Sequence, residues 1–358
     1  MKSTSGGVGA GDAPTRNAHA ESGPTASDHA DLSIIVVSYN RREALRCTLA
    51  RVTPLAREVI VADNASADGT PAMVRAEFPG VTLLETGGNV GVRAFNLGVA
   101  RASGDYVLVL DDDSWPEPGA LGAAIELLRA RKDLAAVTLH PVHPRTNASE
   151  WPMARALGAN ADAAAVDDWP FMGCGNLVRR SAWLAVGGYE EAYFLYRNDT
   201  DLAMKLLAAR ETGGGAVGGG VHMNPAWVVW HDSPAAARKS ERWHRLATRN
   251  WVWLCRRHGR GWRGAASLLL GWAWAHKVAG ARARSHWATL RGAWEGLVRA
   301  APALPAGVRP DGGALRRALE LQLKARRAGR GAARGTGADS TARAGARGTG
   351  ASSAEARA

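Results

Sequence analysis

The chain has 358 residues, an apolar fraction of 46% and a formal net charge of +12, enough for one large α/β domain or two small ones with a packed core. The charge is segregated: 31–235 holds 18 Lys/Arg against 24 Asp/Glu, 236–310 holds 15 against 2, and 324–358 holds 8 against 2. This is not one evenly basic protein, as a nucleic-acid binder of such charge would be, and a basic back third suits an anionic membrane surface at least as well. Cys47, Cys174 and Cys255 are scattered without paired or metal-ligand spacing. They argue against a disulfide framework and for a reducing cytoplasm.

Residues 1–30 are rich in Gly, Ala, Ser and Thr and lack an apolar core. They read as a disordered tail that cannot serve as a signal peptide. Leu32–Ser38 is a continuous β-branched run, as in a buried parallel strand. Arg42–Val52 follows as a helix, Glu58–Ala62 as a strand, and Pro71–Phe78 as a short helix with Pro71 in its first turn. Val81–Glu85, Tyr106–Leu110 and Leu134–Leu139 are further strands, separated by helices at Val92–Ala102 and Pro118–Arg131. Five strands alternating with helices imply a doubly wound, mostly parallel α/β sheet of Rossmann-like type. Later come a strand-like run at Trp227–Trp230 and a helix-like stretch at Leu202–Arg210. The Arg/Gly/Ala stretch 326–358 reads as a second disordered tail, after a helical extension spanning 236–325.

Ligands of such sheets bind beyond the carboxyl ends of the strands. The residues there are Tyr39–Asn40, Asp63–Asn64, Gly87–Asn89 and Asp111–Asp113, all polar or Gly-rich. Three adjacent carboxylates repel one another, and a divalent cation such as Mg2+ or Mn2+ would relieve this; the alternative is a solvated acidic turn. Asp63 offers an acceptor for a base N–H, and Ser38-Tyr39-Asn40 an aromatic face for a base or simple packing. Ser66, Asp68 and Gly69 read as turn and cap chemistry. The glycines at 87, 88 and 91 allow close backbone approach to a ligand.

In order and spacing these segments resemble family-2 glycosyltransferases. The resemblance is carried by Ser38-Tyr39-Asn40, Asp63-Asn64-Ala65-Ser66-x-Asp68-Gly69-Thr70, Asn89-x-Gly91 with Asn96-x-Gly98, and Leu110-Asp111-Asp112-Asp113. Gly173-Cys174-Gly175-Asn176 and Val186-Gly187-Gly188-Tyr189 resemble the family's acceptor-side segment, and Asn198-Asp199-Thr200-Asp201-Leu202 its Glu-Asp-x-Asp-Leu motif, with Asn198 where Glu is frequent. The subgroup it is most similar to contains bacterial rhamnosyltransferase-type enzymes of polysaccharide assembly.

The resemblance implies a GT-A fold over 31–235 and an inverting transfer from a UDP- or dTDP-linked sugar to a glycan or lipid-linked acceptor. It implies that Asp63 and Tyr39 meet the base, with Ser38, Asn40, Asn64, Asn89, Gly91, Arg93 and Asn96 around the donor. Asp111 or Asp112 would reach the ribose. Asp113, with Asp111, would bind Mg2+ or Mn2+, and His231 is either a further metal ligand or structural. Asp199 is favoured over Asp201 as general base, since Asp201 also stands where it could cap a helix.

Eight of the fourteen Trp follow residue 240, and Trp287, Leu290, Trp294 and Leu297 recur at helical spacing beside Arg284, Arg291 and Arg299. That stripe suits the headgroup layer of a membrane or packing on the catalytic domain. The longest uncharged run near the C-terminus, Gly264–Ala275, has 12 residues, short of the roughly 20 that span a bilayer. The expectation is a cytoplasmic protein peripheral at the inner face of the cell membrane. Two other classes fit parts of the sequence. A nucleotidyltransferase also uses paired carboxylates but normally carries a basic Gly-rich loop after its first strand. A nucleic-acid binder would use the Arg-rich third, and is disfavoured.

Overall fold

The computed structural model describes residues 29–150, 166–167, 173–211, 219–233, 240–259, 261–306 and 308. The tails expected over 1–30 (to residue 28) and 326–358, and the domain boundaries near 235 and 325, lie outside the described residues.

The front half follows the hydrophobic pattern closely. Strands β1 (Leu32–Ser38), β2 (Glu58–Asp63), β3 (Thr82–Glu85) and β4 (Tyr106–Asp111) pair in parallel in the order β3-β2-β1-β4. Helices α1 (Arg42–Val52), α2 (Thr70–Glu77) and α3 (Arg93–Arg101) connect them. Side chains alternate across the sheet. Ile34 and Val36 pack with Leu45 and Leu49 of α1 on one face, whereas Ile35 packs with Phe95 and Val99 of α3 on the other. Both faces are therefore covered, which is why these strands read as unbroken apolar runs.

Beyond β4 the chain departs from simple alternation. After β5 (Ser114–Pro116), α4 (Pro118–Ala130) leads to β6 (Leu134–Val142), the fifth strand expected from sequence. It does not lie beside β4. The short strand β8 (Asn176–Arg179) intervenes, antiparallel to both β4 and β6. The twelve-residue β9 (Gly220–His231) then pairs in parallel with β6 and antiparallel with β5, while β7 (Val166–Asp167) pairs with β9 outside the main order. The sheet runs β3-β2-β1-β4-β8-β6-β9-β5, and its C-terminal half is mixed.

Helix α5 (Arg180–Ala185) precedes α6 (Asn198–Glu211), which starts four residues before the expected Leu202. Asp199 and Asp201 thus both lie in a helical first turn, where the macrodipole favours negative charge. The basic extension forms α7 (Glu241–His258), α8 (Gly261–Ala279) and α9 (Ala283–Val298). The hydroxyl of Ser240 caps α7 by accepting from Trp243 N at 3.1 Å. Helix α9 lies close on α7 because Gly292 and Gly296 face it: a Cβ there would sit 2.1 Å from Arg245 O and 2.6 Å from Val252. Helix α7 is embedded, burying Leu246, Val252, Trp253 and Leu254. The stripe Trp287, Leu290, Trp294 and Leu297 on α9 instead faces solvent, 72%, 38%, 66% and 50% exposed. Among the described residues no helix is long and apolar enough to cross a membrane.

Candidate active site

The parallel register sets the site. Ser38 pairs with Asp63 and Val37 with Asp111, so the last residues of β1, β2 and β4 end at one level. The strand order turns at β1, with β2 on one side and β4 on the other, which opens a crevice beyond the carboxyl ends.

Asp111, Asp112 and Asp113 leave β4 into this crevice. The Ser38 hydroxyl donates to Asp112 at 2.9 Å, and Arg41 reaches Asp112 at 3.4 Å and Asp113 at 2.8 Å. Burial pushes Asp112 up to about 7 and Asp111 up to about 6, so both hold protons more tightly than a solvated carboxylate. Burial acts the same way on Asp113, but His231 and Arg41 outweigh it and hold its carboxyl below the usual range.

His231 reaches this corner through pairing that is remote in sequence. Ser114 of β5 is opposite His231 of β9, and Asp232 N donates to Asp113 O at 2.8 Å. His231 Nε2 lies 3.1 Å from Asp113 and 3.8 Å from Asp111, while its Nδ1 is hydrogen-bonded to Glu150. Burial opposes a charge on this imidazole, but the surrounding acidic groups outweigh it and favour the protonated ring. Donor atoms of Asp111, Cys174 and His231 all lie within 4.8 Å of one another. A half-buried imidazole oriented by a carboxylate, beside two further carboxylates, is a donor set that suits a divalent cation once the ring gives up its Nε2 proton, which a bound cation would favour. Glu150, Arg41 and Cys174 belong to this corner although sequence patterning did not single them out. Arg41 had a findable signal, standing three residues past the β1 end, and Cys174 lay inside the Gly173-Cys174-Gly175-Asn176 segment without being assigned to the metal; Glu150 had no signal.

On the donor side, the expected residues divide into two sets. Tyr39 is 46% exposed, Arg93 is exposed and 3.4 Å from Glu191, and Asp63 is buried. Asp63 Oδ2 accepts from Ser66 N at 2.8 Å, but its Oδ1 has no partner among the described residues. A buried acceptor left free at a strand end fits a base N–H. The other set is engaged within the protein. Asn40 accepts from Ala67 N at 2.7 Å, Asn64 donates to Gly91 O and accepts from Val90 N, and Asn89 accepts from Gly91 N. Asn96 donates to Tyr189 O at 2.8 Å and accepts from Tyr189 N at 2.9 Å, fastening α3 to the Val186–Tyr189 turn. Gly91 has φ +61°, and a Cβ there would lie 2.1 Å from Phe194 O. Its small size thus admits the loop before Asp199.

Asp199 and Asp201 stand in different surroundings. Asp199 accepts from the backbone N–H groups of Gly173 and Thr200. Burial raises its pKa above the usual value, and its charge in turn helps raise Asp111, so the two carboxylates share one field. Asp201 is fully buried. His258 lies 2.8 Å from it, Arg257 3.4 Å and Lys205 3.6 Å. Burial works against its charge, but His258, Lys205 and Arg257 outweigh it and lower its pKa.

This arrangement, a twisted sheet with an acidic strand end at its switch point, is the GT-A fold of glycosyltransferases. It resembles the mannosyltransferase PcManGT of Pyrobaculum calidifontis, solved with GDP-Man and Mn2+, over 86% of this chain and 88% of that one, with TM-score 0.50 and 23% identity. It likewise resembles S. aureus TarS over 76% and 81%, with TM-score 0.51 and 15% identity. Residues 33–188 match the model of glycosyl transferase family 2, and the chain is a glycosyltransferase carrying a domain of that family over those residues. Among curated relatives, the N-acetylglucosaminyl-diphospho-decaprenol L-rhamnosyltransferase of Mycobacterium tuberculosis is 28% identical over 276 residues, 65% of this chain and 86% of the relative. The succinoglycan biosynthesis protein ExoA of Rhizobium meliloti is 30% identical over 46% of this chain and 52% of the relative.

Proposed function

We propose that this protein transfers a sugar, with inversion, from a UDP- or dTDP-linked donor to a hydroxyl of a glycan or lipid-linked acceptor in cell-surface polysaccharide assembly. The observation that carries the reading is the corner at the carboxyl end of β4, where His231 Nε2 lies 3.1 Å from Asp113 and 3.8 Å from Asp111, with a further acidic residue, Asp199, in the first turn of α6. In an inverting displacement the acceptor oxygen bonds to the anomeric carbon as the bond to the diphosphate oxygen breaks. Asp199 takes the acceptor hydroxyl's proton and the nucleoside diphosphate leaves. Its raised pKa makes it a better base than a solvated carboxylate.

Asp111, Asp113 and His231 would hold Mg2+ or Mn2+, with Glu150 orienting the imidazole and Cys174 alongside. The cation, when bound, supplies positive charge to the departing diphosphate. Asp63 Oδ1 accepts from the base, whose face rests on Tyr39, and Asp112, held by Ser38 and Arg41, stands toward the ribose. Asp201 anchors α6 rather than touching substrate. The names of the relatives, one acting on a decaprenol-linked sugar and one in succinoglycan biosynthesis, support the acceptor class.

The reading extends to location. Trp262, Leu269 and Trp272 on α8 and Trp287, Trp294 and Leu297 on α9 are all exposed, in a segment of strongly positive charge. Aromatic and aliphatic anchors beside arginines match the headgroup layer of an anionic leaflet, where a lipid-linked acceptor would reside.

The deciding experiment presents the purified protein with a panel of UDP-, dTDP- and GDP-sugars and scores released nucleoside diphosphate with Mn2+ or Mg2+ and with excess chelator. One donor should be turned over, only with metal. Full turnover in chelator would remove the metal role; no turnover of any donor with any polyprenyl- or glycan-type acceptor would remove the transfer itself.

A further inference from the structure

The segment that leads into Asp199 is held in an unfavourable shape. Phe194, Tyr196 and Arg197 have φ of +62°, +71° and +65°. Three side-chain-bearing residues with positive φ within four positions persist only where their surroundings hold them there. Those surroundings come from α7, more than fifty residues later. Asn250, fully buried, directs its side-chain N–H groups at three carbonyls of this segment: Tyr193 O at 3.1 Å, Leu195 O at 2.8 Å and Tyr196 O at 2.9 Å. Arg249 Nε donates to Asn250 Oδ1 at 2.9 Å, which fixes which way the amide faces. Its Nη2 donates to Ala192 O at 3.2 Å and Tyr193 O at 2.8 Å, and its guanidinium lies 4.4 Å over the Trp253 ring. On the opposite side Phe194 O accepts from Val92 N at 2.8 Å, beside the Gly91 backbone.

We propose that Asn250 and Arg249 are positioning residues for the transfer: from α7 they clamp the 192–197 loop in its positive-φ turns and so fix Asp199 against the sugar. The inference rests on Asp199 being the base. It gives the embedded helix of the basic extension a part in turnover that is separate from any membrane contact.

The test is Asn250→Asp, which keeps shape but replaces the donating N–H groups with acceptors facing three carbonyls. Misplacement of a reacting group by about 1 Å can cost on the order of 100-fold. The variant should lose about 10- to 100-fold in kcat while UDP or dTDP, whichever the wild type binds with Mn2+, binds as before. Backbone amides of 192–199 should exchange hydrogen faster. Added to Asp199→Asn, it should cause little further loss, because both act at one point. Arg249→Lys, which loses the planar fork, gives the same readouts if Asn250→Asp does not fold. Additive losses in the double variant, or nucleotide binding that falls with kcat, overturn the clamp. So does wild-type turnover in Asn250→Asp beside a dead Asp199→Asn. Full turnover in Asp199→Asn overturns the base assignment instead, and with it the route by which Asn250 would act.

Discussion

His231 and Glu150, 81 residues apart, share a hydrogen bond between imidazole Nδ1 and carboxylate, and that bond aims Nε2 at Asp113 3.1 Å away. A ligating histidine is commonly oriented by such a carboxylate, and losing the partner typically costs about 10- to 100-fold in metal affinity. Glu150→Gln should therefore weaken Mn2+ binding by about that factor, measured by titration calorimetry on the full chain, with an unchanged melting temperature. Unchanged Mn2+ affinity would separate Glu150 from the proposed metal binding.

Asp199→Asn should retain nucleotide binding and drop turnover by about 100-fold or more, the scale of a lost general base. Because burial raises the Asp199 pKa above 3.8, the acid limb of the wild-type kcat profile should fall at a higher pH than an ordinary carboxylate would give. The residual activity of the variant should lack that limb. A pH profile identical in shape for both proteins would mean that another group accepts the proton.

Asp201→Asn should act on stability. It leaves Lys205, Arg257 and His258 around a neutral side chain, and breaking a buried ion pair costs about 3–5 kcal/mol. The carboxyl's pKa is lowered in the folded protein, so its contribution is full above the unfolded value near 3.8 and is lost as pH falls through the lower folded value. Denaturant unfolding should show the wild type losing stability in that acid window and the variant losing less. A variant as stable as wild type at neutral pH would contradict the anchoring role.

Trp287→Ala combined with Trp294→Ala should reduce sedimentation with vesicles containing phosphatidylglycerol while leaving nucleotide binding intact. Both rings are mostly exposed, and α9 is held to α7 by other groups, among them the Arg245–Glu295 pair at 2.9 Å. Each nearby basic residue adds about 1 kcal/mol of attraction to an anionic leaflet, so high salt should release the wild type. Neutral vesicles should retain little of it. Indifference of the intact protein to anionic vesicles at low salt would leave the α8–α9 surface without a membrane role.

The front half of the fold was legible from local patterns alone. Unbroken β-branched runs, and helices whose apolar residues fall on one side, are local patterns, so β1 to β4 and α1 to α4 fall within a residue or two of where periodicity puts them. Asp111 to Asp113 were legible for the same reason, being adjacent in the chain and directly after a strand. What joins them depends on contacts between segments far apart in the chain. The insertion of β8 between β4 and β6 and the β5–β9 pairing that carries His231 to Asp113 are set by long-range hydrogen bonding. So is the clamp of Asn250 on the loop before Asp199. Polar residues at strand ends look alike in sequence whether they meet a ligand or satisfy the backbone. Asn64 and Asn96 spend their amides on neighbouring peptide groups, whereas Asp63 keeps a buried oxygen without a partner among the described residues. The difference is one of partners, and partners exist only once distant segments have packed and every buried polar group has found its bond.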